Sequence, residues 1–456
     1  MSVDLRHGNV KGLIFKLAVP AMLAQFVNVL YNIVDRIFIS NIPVVGGDAL
    51  GGIGICAPIL TVITGFTYLS ALGGGPLMAM ALGAREEKEA QDIFSTCIGF
   101  LFIIAACLTG FFVGFLDPLL KLFGATKELL PYAHDYLLIY ASGAAIGILA
   151  LGLNTFVSAQ GFSKHAMLSV ACGALTNIVF DYVFIYPLGL GVQGAAYATL
   201  LGQFVTLLYC VIFFLGKQTQ IRIRCKFDFK RMGKIAKLGF SPFIICSTDG
   251  VIIIILNAAL KKFGGADANM YITAATIAAA TFQIVAMPMA GISSGCQPLL
   301  SYNLGAKQYA RVKKAFKYDM LFCFTFCCSM FIIFQSIPGQ FAKIFTNDPA
   351  MIEMSIRCIR IYTFGFLILG FQYAGVDGLT ALGLPKPALF LSLNRKVVCF
   401  LATMILPMIF GAEAAFYSEP VADIYGSVIS LFVTVYTVKK LLERNGYIEE
   451  SKKKFS

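Results

Sequence analysis

The chain has 456 residues, of which 58% are apolar and only 13% charged, and its mean hydropathy is +0.80. Soluble domains carry about 25% charged residues to cover their surface, so a water-soluble globule is excluded, as are disorder and a collagen-like repeat. Lys and Arg number 36 against 24 Asp and Glu, a net charge of +12. In a soluble protein that excess would suggest nucleic acid; in a membrane protein its meaning depends on which loops carry it.

A spanning helix needs about 20 apolar residues, so with connecting loops the length holds about a dozen spans and no large soluble domain. Twelve apolar runs are expected to span, at 13–38, 50–77, 93–116, 130–158, 166–187, 192–215, 238–261, 272–302, 315–337, 353–381, 387–410 and 416–440. The polar start Met1 to Gly12 leads into an apolar segment too long for a cleavable leader. The chain has 13 Cys, most inside apolar runs and none in zinc-type pairs, so they read as small hydrophobic residues.

A charge at the bilayer centre costs at least about 2.5 kcal/mol on insertion scales and marks pathways and relays, so acids within spans are the residues to follow. Span 1 carries Pro20, Gln25, Asn28, Tyr31, Asn32 and Asp35. Gln25, Asn28, Asn32 and Asp35 recur at helical spacing and share one stripe. Pro20 permits a bend before that stripe. Span 4 contributes Asn154, span 5 Asn177 and Asp181 one turn apart, and span 6 Thr199. Span 7 carries Asp249, span 8 Gln283, span 10 Asp377 and span 11 Arg395. The first-half set is rich in oxygens, which suits protons or Na⁺. Interhelical hydrogen bonds would account for the amides and the hydroxyl, but less well for two acids.

The chain also repeats itself. Leu82-Gly83-Ala84 recurs as Leu304-Gly305-Ala306, an offset of 222 that also pairs Pro20 with Pro242, Gly73 with Gly295, Pro76 with Pro298, Phe94 with Phe316 and Gly161 with Gly383. The expected division is 1–216, a basic linker 217–237, and 238–456 with a short tail. Each half holds six spans, so both have the same orientation and form parallel repeats with a pathway between them. The asymmetry lies in the polar residues: Asp35, Asn177 and Asp181 map to Asn257, Cys399 and Thr403. The linker, the loop after span 8 and the tail are basic and fall on one side, so both termini are expected in the cytoplasm.

Two motifs are coincidental. Gly189 to Gly194 fits GxGxxG but joins two apolar helices, with no strand or following acid. Gly291 to Gly295 fits GxSxG but lies within a span. No nucleophile-base pair for an enzyme is visible.

Pro20 with Asp35, the two Leu-Gly-Ala loops, Asn177-xxx-Asp181 and Ser392-Leu393-Asn394-Arg395 together resemble the multidrug and toxic compound extrusion (MATE) family over essentially the whole chain. The resemblance implies an all-α polytopic fold of twelve transmembrane helices in two six-helix lobes, V-shaped and opening to either side. It implies an antiporter in the cell membrane that exports amphipathic, often cationic, organic compounds against inward H⁺ or Na⁺, with no other cofactor. Asp35, Asn154, Asn177, Asp181 and Thr199 match one branch's first-lobe cation site, with Na⁺ at Asp35, Asn177, Asp181 and Thr199 as one form; Tyr31 matches a neighbouring family Tyr. Pro20, Gln25, Asn28, Tyr31, Asp249, Gln283 and Arg395 are the expected cavity or gating residues. The branch with a second-lobe ion site uses acids in spans 7 and 10; here the span 10 position falls near Phe371 and Gln372. A monomer in the bilayer without nucleic acid is expected. The alternative is a lipid-linked saccharide flippase of the same superfamily.

Overall fold

The computed structural model describes residues 4–43, 45–123, 125–219, 221–224, 226–346 and 348–444, and only the backbone at 249–251, 253, 254, 257, 266 and 269. The described residues are helical almost throughout, with no strand. In chain order the helices are α1 (Val10–Ser40), α2 (Gly46–Gly83), α3 (Glu87–Gly114), α4 (Leu116–Leu122), α5 (Leu130–Ser142), α6 (Ala144–Ala159), α7 (Ser163–Ile185), α8 (Gly191–Leu215), α9 (Phe229–Phe263), α10 (Ala268–Gly305), α11 (Tyr309–Ser336), α12 (Pro338–Ala342), α13 (Pro349–Thr363), α14 (Phe366–Ala381), α15 (Pro385–Phe410) and α16 (Ser418–Arg444).

Nine of these are long and apolar enough to cross a membrane, and two bent pairs, α5 with α6 and α13 with α14, bring the number to eleven. The 35-residue α9 covers the remaining expected span. The bends of 56° and 48° were not foreseen. They fall at Gly143 and Gly365, which are 222 residues apart. A Cβ on Gly143 would stand 2.5 Å from the Leu200 side chain, and one on Gly365 2.6 Å from Asp423 Oδ2. A larger residue at either place would have to push that side chain aside.

The repeat is visible atom by atom. The bounds of α10, α11 and α14 lie 222 residues after those of α2, α3 and α6. After α2, Arg85 has positive φ and the Glu86 amide donates to the Ala81 carbonyl; after α10, Lys307 has positive φ and the Gln308 amide donates to the Asn303 carbonyl. An L-residue in the left-handed region is uncommon, so its recurrence at one register is a property of the turn.

The chain divides into two compact units, Met1–His7 with Leu23–Cys246, and Gly8–Met22 with Ser247–Ser456. This differs from the division read at 216 and 238, and the reason is close helix packing. In the first unit Gly239 of α9 sits so near α2 that a Cβ would lie 2.2 Å from the Leu69 carbonyl oxygen. In the second unit a Cβ on Gly291 of α10 would lie 2.7 Å from the Ala21 oxygen of α1. The early parts of α1 and α9 therefore each belong with the other sequence half.

The basic linker also belongs to the first unit. Lys226 Nζ donates to both oxygens of Asp92 at 2.8 and 2.7 Å, and Arg231 grips Glu89 through Nε and Nη2 at 3.2 and 2.6 Å. The Gln91 side chain accepts from the Arg222 amide at 2.7 Å and donates to its carbonyl. Asp228 caps α9, accepting from the amides of Lys230 and Arg231; those bonds hold its carboxyl below the usual carboxylate range. The first unit's core is built around Phe94, stacked on Phe214 with centroids 4.6 Å apart and edge-on to Phe156 at 5.3 Å. The second unit's core includes Phe366 and Phe416. Many apolar side chains, such as Phe102, Ile212 and Phe432, point outward, as suits helices whose solvent is lipid.

Candidate functional site

The site is assembled in the first unit, near the C-terminal ends of α1 and α7. Those ends are tied together by the Tyr186 hydroxyl, which donates to the Phe38 carbonyl at 2.9 Å. Along α1, the Asn28 amide donates to Gln25 Oε1 at 3.2 Å and Asn32 to the Asn28 carbonyl at 2.7 Å. The polar stripe is thus internally bonded up to Asp35. Helix α7 is held close to α8 by two glycines: a Cβ on Gly173 would stand 2.6 Å from the Gly202 carbonyl oxygen, and one on Gly202 3.0 Å from Asn177 Cβ. This contact buries Asn177, and Asp181 follows one turn later.

Asp181 is 0% exposed and Asn177 3%. Asp35 is half-buried, with its Oδ1 shielded. The carboxyl groups of Asp35 and Asp181 lie within interaction range of each other, with Asn177 beside Asp181. Yet Asp35 Oδ1, both Asp181 oxygens and both amide atoms of Asn177 have no aligned hydrogen-bond partner. Ionised carboxylates only accept, so neither acid satisfies the other unless a proton or a cation joins them. Orphaned buried polar atoms are rare and costly. These oxygens fit a monovalent cation or a shared proton.

Around the pair stand Tyr31 of α1 and Tyr136 of α5, both within electrostatic reach of Asp35, and the exposed Arg36. Tyr136 and Tyr140 stack at 6.2 Å with planes 13° apart, and Gln203 Nε2 donates to the Tyr140 hydroxyl at 3.0 Å. Thr199 faces Tyr136 and also donates to its own helix at the Ala195 carbonyl, 2.9 Å away. Tyr136, Tyr140 and Gln203 were missed in the sequence. Their signal was the Tyr136/Tyr140 spacing of one helical turn in span 4, obscured by the many aromatics of the chain.

Asn154 is placed elsewhere. Its Nδ2 donates to the Ala166 carbonyl and to Ser169 Oγ, both at 2.8 Å. Asn177 lies about 12 Å further along α7 at 1.5 Å per residue. The sequence put Asn154 in span 4; there α6 meets the beginning of α7, at Ala166 and Ser169.

The other expected residues are dispersed. Pro20 is buried in the second unit and α1 runs unbroken through it. Gln283 is exposed. The Asp249 side chain lies outside the described residues. Arg395 is 8% exposed, and its charge is already matched: Nε donates to Asp423 Oδ1 at 2.7 Å and Nη2 to Glu419 Oε2 at 3.0 Å, with the Phe282 ring 6.0 Å from the guanidinium. Among the described residues no group of three or more His, Cys, Asp or Glu is arranged so that it could hold a metal ion.

The MatE family model matches residues 20–183 and 229–411. The Multidrug export protein MepA of Staphylococcus saprophyticus is 26% identical over 433 residues, covering 93% of each chain, and that of Staphylococcus haemolyticus is 23% identical over 431 residues. Among solved structures, an outward-facing multidrug resistance MATE family transporter of the MOP superfamily superposes with a TM-score of 0.90 at 22% identity, covering 97% of this chain and 99% of its own. A MATE structure in the bent conformation gives 0.89 at 21% identity, covering 98% and 100%.

Proposed function

Since the chain belongs to the MatE family, a family of multi-pass membrane transporters, we propose that it is a cation-coupled antiporter exporting amphipathic, cationic organic compounds across the cell membrane. The observation that carries the coupling is the Asp35–Asp181 pair: a buried and a half-buried carboxyl within reach of each other, with unsatisfied oxygens. Asp35, Asp181 and Asn177 would hold the ion, with Thr199 offering a hydroxyl oxygen at the rim. Bound H⁺ or Na⁺ supplies the positive charge that lets two carboxylates share a low-dielectric space.

Coupling requires unequal affinity of each ligand for the two states. The ion favours the conformation in which α1 and α7 bring the acids together; substrate favours the one in which they are apart. Multidrug export is what the MepA relatives are named for, and the same class of cargo is proposed here. The protein acts as a monomer with both termini in the cytoplasm.

The test is dye efflux from energised vesicles carrying the protein, driven by an imposed pH gradient or an imposed Na⁺ gradient. One gradient should drive transport, and Asp35→Asn should abolish it with expression intact. Undiminished transport by that variant would overturn the site. Movement of a lipid-linked saccharide without effect of either gradient would instead establish the flippase.

A further inference from the structure

The contacts that dock the basic linker on the first unit use only some of its cations. Asp92, Glu89 and Asp228 engage Lys226 and Arg231, and the Arg222 guanidinium donates to the Leu215 and Gly216 carbonyls at the end of α8. Left over are Lys230, Lys234 and Lys237 on the first turns of α9, all exposed. Their spacings of four and three residues put them on one helical stripe. Among the described residues none of the three forms an ion pair. Asp228, within electrostatic reach of Lys230, already accepts from the Lys230 and Arg231 amides and meets the Arg231 guanidinium at 3.0 Å.

The stripe points away from the protein. The other face of α9 carries the buried Ile235, Leu238 and Gly239, with Gly239 and the Ile235 carbonyl against α2. Two aromatic rings flank the lysines: Phe229 is 74% exposed and Phe240 46%. Both are held in place. Phe229 meets Phe227 edge-on with centroids 4.9 Å apart, and a Cβ on Gly99 of α3 would stand 2.5 Å from the Phe227 ring. Phe240 lies 6.0 Å from Phe243, which contacts Phe66 of α2 at 4.8 Å. Helix α3 also gives the height of this patch. Lys226 is bonded to Asp92, whereas Phe227 reaches Gly99, about 10 Å further along that helix and inside the span expected from 93. Lys237 immediately precedes the span expected from 238. The lysines and rings therefore stand at the edge of the apolar zone.

Neither packing nor topology requires the stripe. The repeat places Gly8, Gly12 and Phe15 at the equivalent positions of α1, and Lys217, Arg222, Arg224, Lys226 and Arg231 make the linker basic without it. A row of unpaired cations beside fixed, exposed aromatic rings at the edge of the bilayer complements an acidic phospholipid, with its phosphate on the lysines and its acyl chains along the rings.

We propose that Lys230, Lys234 and Lys237, with Phe229 and Phe240, form a binding surface for acidic phospholipids of the leaflet that borders the linker. The surface lies wholly within the first unit and is independent of the coupling ion.

The test is native mass spectrometry of the purified full-length protein, titrated in detergent with phosphatidylglycerol or with phosphatidylcholine of identical acyl chains. Wild type should retain phosphatidylglycerol in preference. Lys230→Gln with Lys234→Gln and Lys237→Gln should lower that preference about tenfold or more, with an unchanged elution profile, and the same three residues changed to Arg should keep it. Lys217→Gln with Arg224→Gln and Lys314→Gln removes the same charge elsewhere and should also keep it. Glycerol phosphate, which has the headgroup charge without acyl chains, should not displace the lipid. Equal retention of the two lipids by wild type overturns the surface, and needs no variant. So does a preference that survives loss of the three lysines, or one that falls equally in the charge-matched control. Displacement by glycerol phosphate would show a site for free anions in place of a lipid surface.

Discussion

At the scale of single residues, unsatisfied polarity separates working groups from structural ones. Asn177 and Asn154 are both amides within spans, yet one has no partner for either amide atom and the other donates twice at 2.8 Å. Asn154→Ala removes two hydrogen bonds, to the Ala166 carbonyl and to Ser169 Oγ, and should cost about 1–3 kcal/mol. A lower melting temperature in detergent with unchanged ion dependence is expected. Asn177→Ala should do the reverse, with melting near wild type and weakened ion dependence of efflux. If Asn154→Ala changes the ion dependence instead, Asn154 belongs with the acids. Spacing in the sequence showed that Asn177 and Asp181 share a face. It contained nothing to place Asn154 two turns away, because the register between neighbouring helices is set by packing. Arg395 is a similar case: its acids, Glu419 and Asp423, are supplied by a helix that begins 23 residues later in the chain.

At the scale of elements, glycine determines where helices meet. Gly239 and Gly291 bring helix backbones so near that an added Cβ would overlap backbone atoms. Backbone cannot swing aside as a side chain can. Gly239→Leu should therefore cost on the order of 4 kcal/mol or more and abolish the monodisperse peak in size-exclusion chromatography. Gly110→Leu, with nothing within 4 Å of its added Cβ, should leave that peak intact. A folded Gly239→Leu protein would show that the two helices need not approach. At the bends, Gly143 and Gly365 instead face side chains, those of Leu200 and Asp423. Both glycines were legible as letters, but nothing local marked them as bends, and their neighbours Leu200 and Asp423 are distant in sequence.

At the scale of the whole molecule, an even number of spans returns the chain to the side on which it began. Reporters active only in the cytoplasm, fused before residue 4 or after residue 444, should both report. A single active terminus would overturn twelve spans. All nine expected spans that became single apolar helices outside the bends and α9 lie within or close to helices α1, α2, α3, α7, α8, α10, α11, α15 and α16, because length and hydropathy are local properties that a bilayer reads directly. The repeat was equally legible, since an offset of 222 depends only on the letters.

The sequence by itself determined that the chain crosses a membrane many times, that its two halves repeat, and that Asp35 and Asp181 are the anomalous charges of the first half. These follow from composition, spacing and self-similarity, which need no partner. Only the tertiary structure decided that the early parts of α1 and α9 belong with the opposite sequence halves, and that Tyr136 and Tyr140 stand around the Asp35–Asp181 pair. Such facts depend on which helices touch and at what register. That choice is made by close packing of small residues across hundreds of positions of chain, a long-range property that no local pattern encodes.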